Sequence, residues 1–145
     1  PEQRGGTANC SVVIGDEPIG SPVVTEPNAA VVMNTPSMRK FAPRMTDGGL
    51  LLLNSSLVDE RPERSELRVF EIPADDIARE LGNERVSNMV ITGALVEAMD
   101  GDIDLEVVKD CLKKVLPSHR HDLIPLNHDA LDRGADLMQE LRASV

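Results

Sequence analysis

Short apolar runs alternate with helical periodicities from residue 28 onward, which is typical of a layered α/β fold with a mainly parallel sheet. The runs at residues 29–33 and 50–53 are too short for helices and predict two buried strands. Between them, Thr35 and the proline after it predict the start of a helix, with Thr35 as its cap. An Asp-Gly-Gly sequence at residues 47–49 predicts the return turn. This region therefore predicts a βαβ unit.

The following residues predict one more strand and two helices. Residues 67–72 alternate as in a strand, and residues 73–81 predict a short helix that is closed by Gly82. Residues 86–99 are apolar nearly all round the helix that they predict. Helices of that kind are buried, so we expect this one to lie inside the domain.

The end of the chain predicts a helical part, residues 103–145, of a single domain that spans residues 1–145. Apolar side chains recur at helical spacing over residues 103–116, and Cys111 is one of them. A last helix is predicted to begin at Asn127, which is a good cap. At 145 residues the chain has the length of one domain.

The N-terminal residues predict a glycine turn, a strand and a rigid loop. Apolar side chains alternate with polar ones over residues 8–14, as expected for a strand with one buried face. Gly5 and Gly6 precede this segment and allow backbone angles that other residues resist. Three prolines between residues 18 and 27 then exclude a helix until the next apolar run.

Composition and charge exclude several classes of protein. A formal net charge of −10 argues against a nucleic-acid partner, because affinity for phosphate backbones comes from clustered Lys and Arg. No apolar run reaches the roughly 18 residues that a membrane helix needs, and the polar N-terminus is unlike a signal peptide. We therefore expect a cytoplasmic protein. Cys10 and Cys111 lie in apolar patterns, which favours buried free thiols over a disulfide.

The chain contains no complete catalytic or cofactor-binding signature, such as a P-loop or a nucleophile elbow. We therefore expect no catalytic residue and no catalysis by this chain alone. His119 and His121, with His128 nearby, form a histidine cluster. The arginine between the first two adds unfavourable positive charge, so a polar loop is a better interpretation than a zinc site, and no metal ligand is predicted.

Two places in the sequence have the chemistry to hold an anionic ligand. Arg4 offers a guanidinium, and Gly5 and Gly6 offer backbone N–H groups, although a glycine pair before a strand is more often a simple turn. Asn34 follows a strand at the edge where open α/β sheets bind ligands. The alternative for Asn34 is a side chain that closes the turn by bonding to the nearby backbone.

A larger set of motifs runs in order along nearly the whole chain. The set comprises Arg4-Gly5-Gly6-Thr7-Ala8, Asp16-Glu17-Pro18-Ile19, Ser21-Pro22, Asn34 with Phe41, Gly48-Gly49, Ile72-Pro73-Ala74, Ala78 with Glu80-Leu81-Gly82-Asn83, Val86-Ser87-Asn88-Met89, Gly93-Ala94, Leu116-Pro117, Asn127, Ala130 and Gly134. In this order the motifs resemble the gamma subunit, or gamma domain, of the 2-oxoacid:ferredoxin oxidoreductases of the pyruvate, 2-oxoglutarate and ketoisovalerate type. The resemblance implies a Rossmann-like α/β fold.

The resemblance also implies a role in a multi-subunit enzyme that converts a 2-oxoacid to an acyl-CoA by oxidative decarboxylation. In this family thiamine diphosphate and the iron–sulfur clusters belong to partner subunits or modules, and ferredoxin accepts the electrons. The implied partners are alpha and beta subunits, together with a ferredoxin-like delta subunit where one exists. The gamma domain packs on the catalytic subunits and is implicated in coenzyme A binding. From the resemblance and the anion-binding chemistry together, we predict that Arg4, Gly5, Gly6, Thr7 and Asn34 bind the cofactor.

Two other functions stay open on the sequence. One is a noncatalytic assembly module that only supports the thiamine subunits. The other is an independent Rossmann-type nucleotide-binding domain, which the missing glycine-rich phosphate fingerprint disfavours. Family members usually begin with a strand, a glycine-rich turn and a helix. We therefore expect that this N-terminal β-α unit is missing and that Pro1 opens an otherwise internal Pro-Glu-x-Arg-Gly-Gly segment.

Overall fold

The computed structural model describes residues 8–144 and places them in a three-stranded sheet with five α-helices. The order is β1 (Ala29–Val32), α1 (Thr35–Phe41), β2 (Leu50–Asn54), β3 (Arg68–Ile72), α2 (Ala74–Glu80), α3 (Ser87–Ala98), α4 (Leu105–Val115) and α5 (Ile124–Ala143). Short 3-10 turns occupy Ala42–Arg44, Glu84–Val86 and Ser118–Leu123. No helix in this part of the chain combines the length and the apolar character that crossing a bilayer requires.

The three strands are parallel, and β2 is the central one. Ala29 of β1 lies beside Leu50 of β2, and Leu50 in turn lies beside Arg68 of β3. Helix α1 forms the crossover between β1 and β2, because parallel neighbours need a long connection. The predicted α/β class, the βαβ unit and the strand near residues 67–72 are therefore confirmed.

The central strand β2 separates two hydrophobic cores. Its side chains are all buried, because both faces of the sheet are covered. Leu50 and Leu52 face the larger core, which they share with α2, α3 and α5. Leu51 and Leu53 face the smaller core, which they share with α1 and the loop that leads to β3. Successive side chains of a strand point to opposite faces, so one apolar run supplies both cores.

Helices α3 and α5 pack with their backbones in direct contact. Gly93 of α3 lies against the backbone of Leu131, and Gly134 of α5 lies against the backbone of Val90. A Cβ atom at either glycine would overlap the facing carbonyl group. Val90 and Ala94 of α3 are fully buried beneath this contact. The prediction that this helix lies inside the domain is therefore confirmed.

The predicted strand at residues 8–14 is wrong. This segment has an irregular backbone, and its side chains are exposed, Val12 and Ile14 among them. The alternation of side chains suits a strand, but a strand also needs a neighbour that supplies backbone hydrogen bonds. No strand of the described sheet pairs with this segment. The irregular course of residues 15–28 agrees with the predicted proline-rich loop.

The starts of two helices differ from the predictions. Asn34 caps α1 in place of Thr35, because the Asn34 Oδ1 accepts a hydrogen bond from the Ser37 N–H at 2.9 Å. Helix α5 begins at Ile124 and not at the predicted cap, Asn127. The proline that follows Ile124 fits the first turn, where no N–H is needed, so the helix extends further toward its N-terminus.

Both cysteines are free, but they are exposed and not buried as predicted. Cys111 lies on the outer side of α4, where Leu112 is the buried residue. The apolar side chains of this helix lie on one side of it, and of these only Leu112 is buried within the described chain. Val107 and Val115 consequently face solvent together with Cys111.

Candidate functional site

The carboxyl ends of the three parallel strands meet at one edge of the sheet. Open α/β sheets usually bind their ligands at this edge. Strand β1 leads into Asn34, β2 ends at Asn54, and β3 leads through Pro73 into α2. The candidate residue Asn34 therefore lies where the sequence predicts it, and Asn54 joins it as an unpredicted neighbour.

The side chain of Asn34 is turned toward the backbone of α1. Its Oδ1 accepts the hydrogen bond from the Ser37 N–H, and its backbone carbonyl accepts one from the Met38 N–H at 3.2 Å. These bonds satisfy N–H groups that the first helical turn leaves without an intrahelical partner. The structure thus gives Asn34 a capping role, and its role in ligand binding stays a prediction.

Asn54 is a fully buried amide that joins three segments of this edge. Its Oδ1 accepts a hydrogen bond from the Ala74 N–H at 3.1 Å. Its Nδ2 lies 3.4 Å from the Met33 carbonyl oxygen and 3.3 Å from the Asp75 carboxylate, and donates to both. Asn54 therefore fixes the end of β1 and the start of α2 relative to β2.

Sequence reasoning missed Asn54, although its position contained a signal. An asparagine directly follows the four leucines of a buried strand, and a buried amide requires hydrogen-bonding partners. Those partners belong to β1 and to α2, which are distant in sequence. The pattern therefore identifies a buried polar group without identifying what it bonds to.

Ser56 and the acidic start of α2 complete the described part of the edge. The Ser56 Oγ accepts a hydrogen bond from the Asp76 N–H at 3.1 Å. Asp75 is half-buried beside Asn54, whereas Asp76 is exposed. Within residues 8–144 no hydrogen bond joins a serine or a cysteine to a histidine. The polar groups of this edge hold backbone segments in place and form no nucleophile–base pair in that range.

The three histidines have different surroundings. His119 and His121 lie in the Ser118–Leu123 turn, where the His121 Nε2 donates to the Leu116 carbonyl oxygen at 2.9 Å. His128 lies on α5, and its Nε2 is buried with no hydrogen-bond partner among the described residues. No group of three or more His, Cys, Asp or Glu in residues 8–144 is placed to hold a metal ion. His121 ties the turn to the end of α4.

A groove of about 380 Å³ lies between α1 and the loop that precedes β3. Arg64 borders it and donates from Nη1 to the carbonyl oxygens of Ala42, at 3.1 Å, and Met45, at 2.5 Å. Its Nη2 donates to Asp47 at 2.6 Å and its Nε to Glu66 at 2.7 Å. The hydrogen bond with Glu66 raises the pKa of Arg64 above its ordinary value. Arg64 therefore clamps the loops around the groove.

A family model described as pyruvate ferredoxin/flavodoxin oxidoreductase matches residues 1–137. The chain belongs to this family. The match covers nearly all of the 145 residues and includes the sheet, its carboxyl edge and most of α5. The family inferred from the ordered motifs is therefore confirmed.

Two similar proteins are longer than the chain. The chain is similar to the ketoisovalerate oxidoreductase subunit VorA of Methanothermobacter marburgensis, with 35% identity over 94% of this chain and 28% of that protein. It is also similar to the 2-oxoglutarate synthase subunit KorC of the same organism, with 31% identity over 97% of this chain and 76% of that protein. The chain thus spans less than a third of VorA and about three quarters of KorC.

Solved structures in this family share the fold. The gamma subunit of a keto/oxoacid ferredoxin oxidoreductase from Geobacter sulfurreducens superposes with a TM-score of 0.69 at 23% identity, over 78% of this chain and 64% of that one. A 2-oxoglutarate:ferredoxin oxidoreductase from Magnetococcus marinus, with 2-oxoglutarate, coenzyme A and succinyl-CoA bound, gives a TM-score of 0.62 at 22% identity. That match covers 78% of this chain and 20% of the other.

The remaining candidate residues lie at the N-terminus of this family member. Arg4, Gly5, Gly6 and Thr7 fall outside the described residues, although they fall within the range that the family model matches. Asn34 is the one candidate whose surroundings are described. The cofactor-binding role of all five residues stays a prediction.

Proposed function

We propose that this chain is the gamma subunit, or gamma domain, of a multi-subunit 2-oxoacid:ferredoxin oxidoreductase in the cytoplasm. Such an enzyme uses thiamine diphosphate, coenzyme A and iron–sulfur clusters to convert a 2-oxoacid to an acyl-CoA. The family match over residues 1–137 carries the proposal. The names of VorA and KorC, which specify ketoisovalerate and 2-oxoglutarate, support a 2-oxoacid as the class of substrate.

In this proposal the chain contributes no catalytic residue and acts by packing on its partner subunits. Thiamine diphosphate lies in the alpha and beta subunits, and the clusters lie in a partner or in a ferredoxin-like delta subunit. The fold shared with the Geobacter gamma subunit supports the assignment of this chain to the gamma position. Ferredoxin would accept electrons from the complex and not from this chain.

Coenzyme A is the cofactor that we place beside this chain. It carries phosphate groups, for which a guanidinium and adjacent backbone N–H groups are well-suited partners. Arg4, Gly5 and Gly6 supply this chemistry, and Thr7 adds a hydroxyl group. Asn34 would face the cofactor from the carboxyl edge of the sheet. The coenzyme A in the Magnetococcus enzyme, which has the same fold, supports this placement.

A second candidate function, a pure assembly module, is favoured by one observation. The Asn34 Oδ1 accepts a hydrogen bond from the Ser37 N–H, and Asn54 bonds to three backbone or side-chain partners. These amides are therefore engaged in holding the edge together. An edge of this kind serves to present a rigid surface to the catalytic subunits, without contact to coenzyme A.

Kinetics of the assembled enzyme distinguish these two functions. The chain is purified with its partner subunits, and Arg4→Ala is compared with Arg85→Ala, which removes an equal charge at an exposed position. Loss of a charge-assisted hydrogen bond to phosphate corresponds to about 1.5–3 kcal/mol, or roughly a ten- to hundredfold rise in the KM for coenzyme A. The KM for the 2-oxoacid and the parameters of Arg85→Ala should stay unchanged.

Three outcomes are informative. A rise in the KM for coenzyme A alone supports the cofactor-binding role of Arg4. A less stable complex with an unchanged dependence on coenzyme A supports the assembly module. A chain that purifies from its native source without any thiamine-binding subunit would overturn the gamma-subunit assignment itself.

A further inference from the structure

Helix α4 carries an apolar stripe that no other part of the described chain covers. Val107, Cys111 and Val115 follow each other at every fourth position, so they form one row along the helix. Val107 is 56% exposed and Val115 is 71% exposed, and Cys111 is exposed as well. The side of the helix next to this row packs through Leu112, and on the opposite side Lys109 forms an ion pair with Asp132 of α5.

The charges around this stripe are sorted along the helix. Acidic residues lie before and within the first part of α4, and basic residues lie at its end and just beyond. The acidic set is Asp100, Asp102, Asp104, Glu106 and Asp110, and the basic set is Lys113, Lys114 and Arg120. In the described range Glu106 pairs with Lys109 and Asp100 pairs with Arg142, whereas Asp110 and the three basic residues form no ion pair. The stripe thus has a negative end and a positive end.

We propose that this face docks a second copy of the same chain, with the two α4 helices antiparallel about a twofold axis at Cys111. A twofold interface uses the same patch on both copies, so the patch must be complementary to itself. Antiparallel pairing places Val107 of one copy opposite Val115 of the other and brings the negative end of each helix to the positive end of its neighbour.

The proposed register predicts one specific charged contact between the two copies, at Lys114. A twofold axis at Cys111 brings Lys114 level with position 108 of the second copy, between Glu106 and Asp110 there. At about 100° per residue, these three side chains lie on the same flank of the stripe. Each Lys114 therefore lies beside two carboxylates of the second copy, one of which, Glu106, also contacts Lys109 of its own chain. A parallel twofold pairing would turn this flank of each helix toward the opposite flank of the other helix, so these contacts would be lost. Exposed ion pairs of this kind fix the register more than they strengthen the association.

The size of the stripe sets the expected strength of the association. At a rise of about 1.5 Å per residue, the row is roughly 12 Å long. Three side chains from each copy bury less than the roughly 800 Å² per partner of a stable dimer. We therefore expect reversible dimers that are populated at concentrations of about 100 µM.

Disulfide trapping tests the axis at Cys111. The chain carries Cys10→Ser so that Cys111 is its one thiol, and diamide takes two electrons and two protons from a pair of thiols to leave a disulfide. We expect a covalent dimer on a nonreducing gel. The matched control carries Cys10→Ser, Cys111→Ser and Lys113→Cys, which moves the single thiol off the stripe. Its disulfide-linked dimer should form at least about tenfold more slowly. Equal rates at positions 111 and 113 would contradict the proposal.

Sedimentation equilibrium without oxidant tests the surface itself. Val115→Asp and Lys114→Glu should each raise the dimer dissociation constant at least about tenfold, and Lys114→Glu with Asp110→Lys should recover part of the loss. Leu57→Asp is the matched control, because Leu57 is as exposed as Val107 of the stripe, at 56%, and lies outside α4. Circular dichroism confirms that each variant is folded. A chain that stays monomeric up to 500 µM, or a Leu57→Asp variant that dissociates equally, would refute the twofold pairing.

Discussion

Gly134 of α5 lies so close to the carbonyl oxygen of Val90 in α3 that a Cβ atom at Gly134 would overlap it. The relationship is reciprocal, because Gly93 of α3 lies in the same way against Leu131 of α5. Two glycines therefore set how closely the two helices approach. The larger core depends on this approach, since α3 and α5 together cover one face of the sheet.

Gly134→Ala should destabilise the fold even though alanine favours helices. Alanine gains about 1 kcal/mol over glycine within a helix, but overpacking against a backbone carbonyl costs about 1–3 kcal/mol or more. We expect a net loss in the free energy of unfolding, measured by urea denaturation. Gly20→Ala is the control, because no atom lies within 4 Å of a Cβ built at Gly20. A Gly134→Ala variant as stable as the parent would contradict the close crossing.

Asn54→Ala should lower the free energy of unfolding by about 2–3 kcal/mol, because it leaves the buried Ala74 N–H without its partner and removes the bonds to Met33 and Asp75. Asn88→Ala provides the comparison, since Asn88 is exposed and its Oδ1 accepts only a local hydrogen bond from the Met89 N–H. Its loss should stay below about 1 kcal/mol. Equal losses for the two variants would mean that Asn54 does not hold the edge together.

Arg64→Ala should destabilise the chain more than Arg61→Ala. Arg64 donates to two backbone carbonyls and two carboxylates, and its side chain is 23% exposed. Arg61 forms one ion pair with Glu71 at 3.2 Å, and its side chain is 55% exposed. Surface ion pairs contribute little, so the thermal midpoint of Arg61→Ala should be close to that of the parent. The reverse order of midpoints would show that the Arg64 clamp is dispensable.

The contact between α4 and α5 should weaken in alkali. The hydrogen bond with Asp132 raises the pKa of Lys109 above its ordinary value of about 10.4. The stabilisation is therefore complete below that value and is lost as the pH rises through the higher pKa of the folded state. Unfolding midpoints between about pH 9.5 and 12 should fall more steeply for the parent than for Lys109→Met. Lys113→Met is the control for the loss of one positive charge, because Lys113 is exposed and forms no ion pair within residues 8–144.

The sequence predicts those elements whose signal is local. Four consecutive leucines at 50–53 are too short for a helix and too apolar for a loop, and they form the central strand. The helix predicted at residues 86–99 is apolar nearly all round, and a helix without a polar face is expected to be buried. The structure buries it. The sequence also predicts the position of Asn34 at the carboxyl edge, since strand ends in a parallel sheet can be inferred from the order of elements.

The features that the sequence does not reveal depend on distant partners. Residues 8–14 have the alternation of a strand, but pairing is decided by what lies beside them. Cys111 belongs to the apolar side of α4, but the described chain buries only the part of that side at Leu112, and the pattern alone does not say which part turns inward. Asn54 is a polar residue at the end of a buried run. Its hydrogen-bonding partners, Met33, Ala74 and Asp75, come together with it only in the folded chain.

The division of the molecule into two cores by β2 has a consequence for how it opens. Local unfolding proceeds in cooperative units, and units with fewer buried apolar contacts open at lower free energy. The smaller core, with α1, forms one such unit, and α3 packed on α5 forms the more protected one. Amide hydrogens of α1 should therefore exchange with solvent before those of α3. Asn34 caps the less protected unit, so a ligand bound there would slow the exchange of α1 in particular.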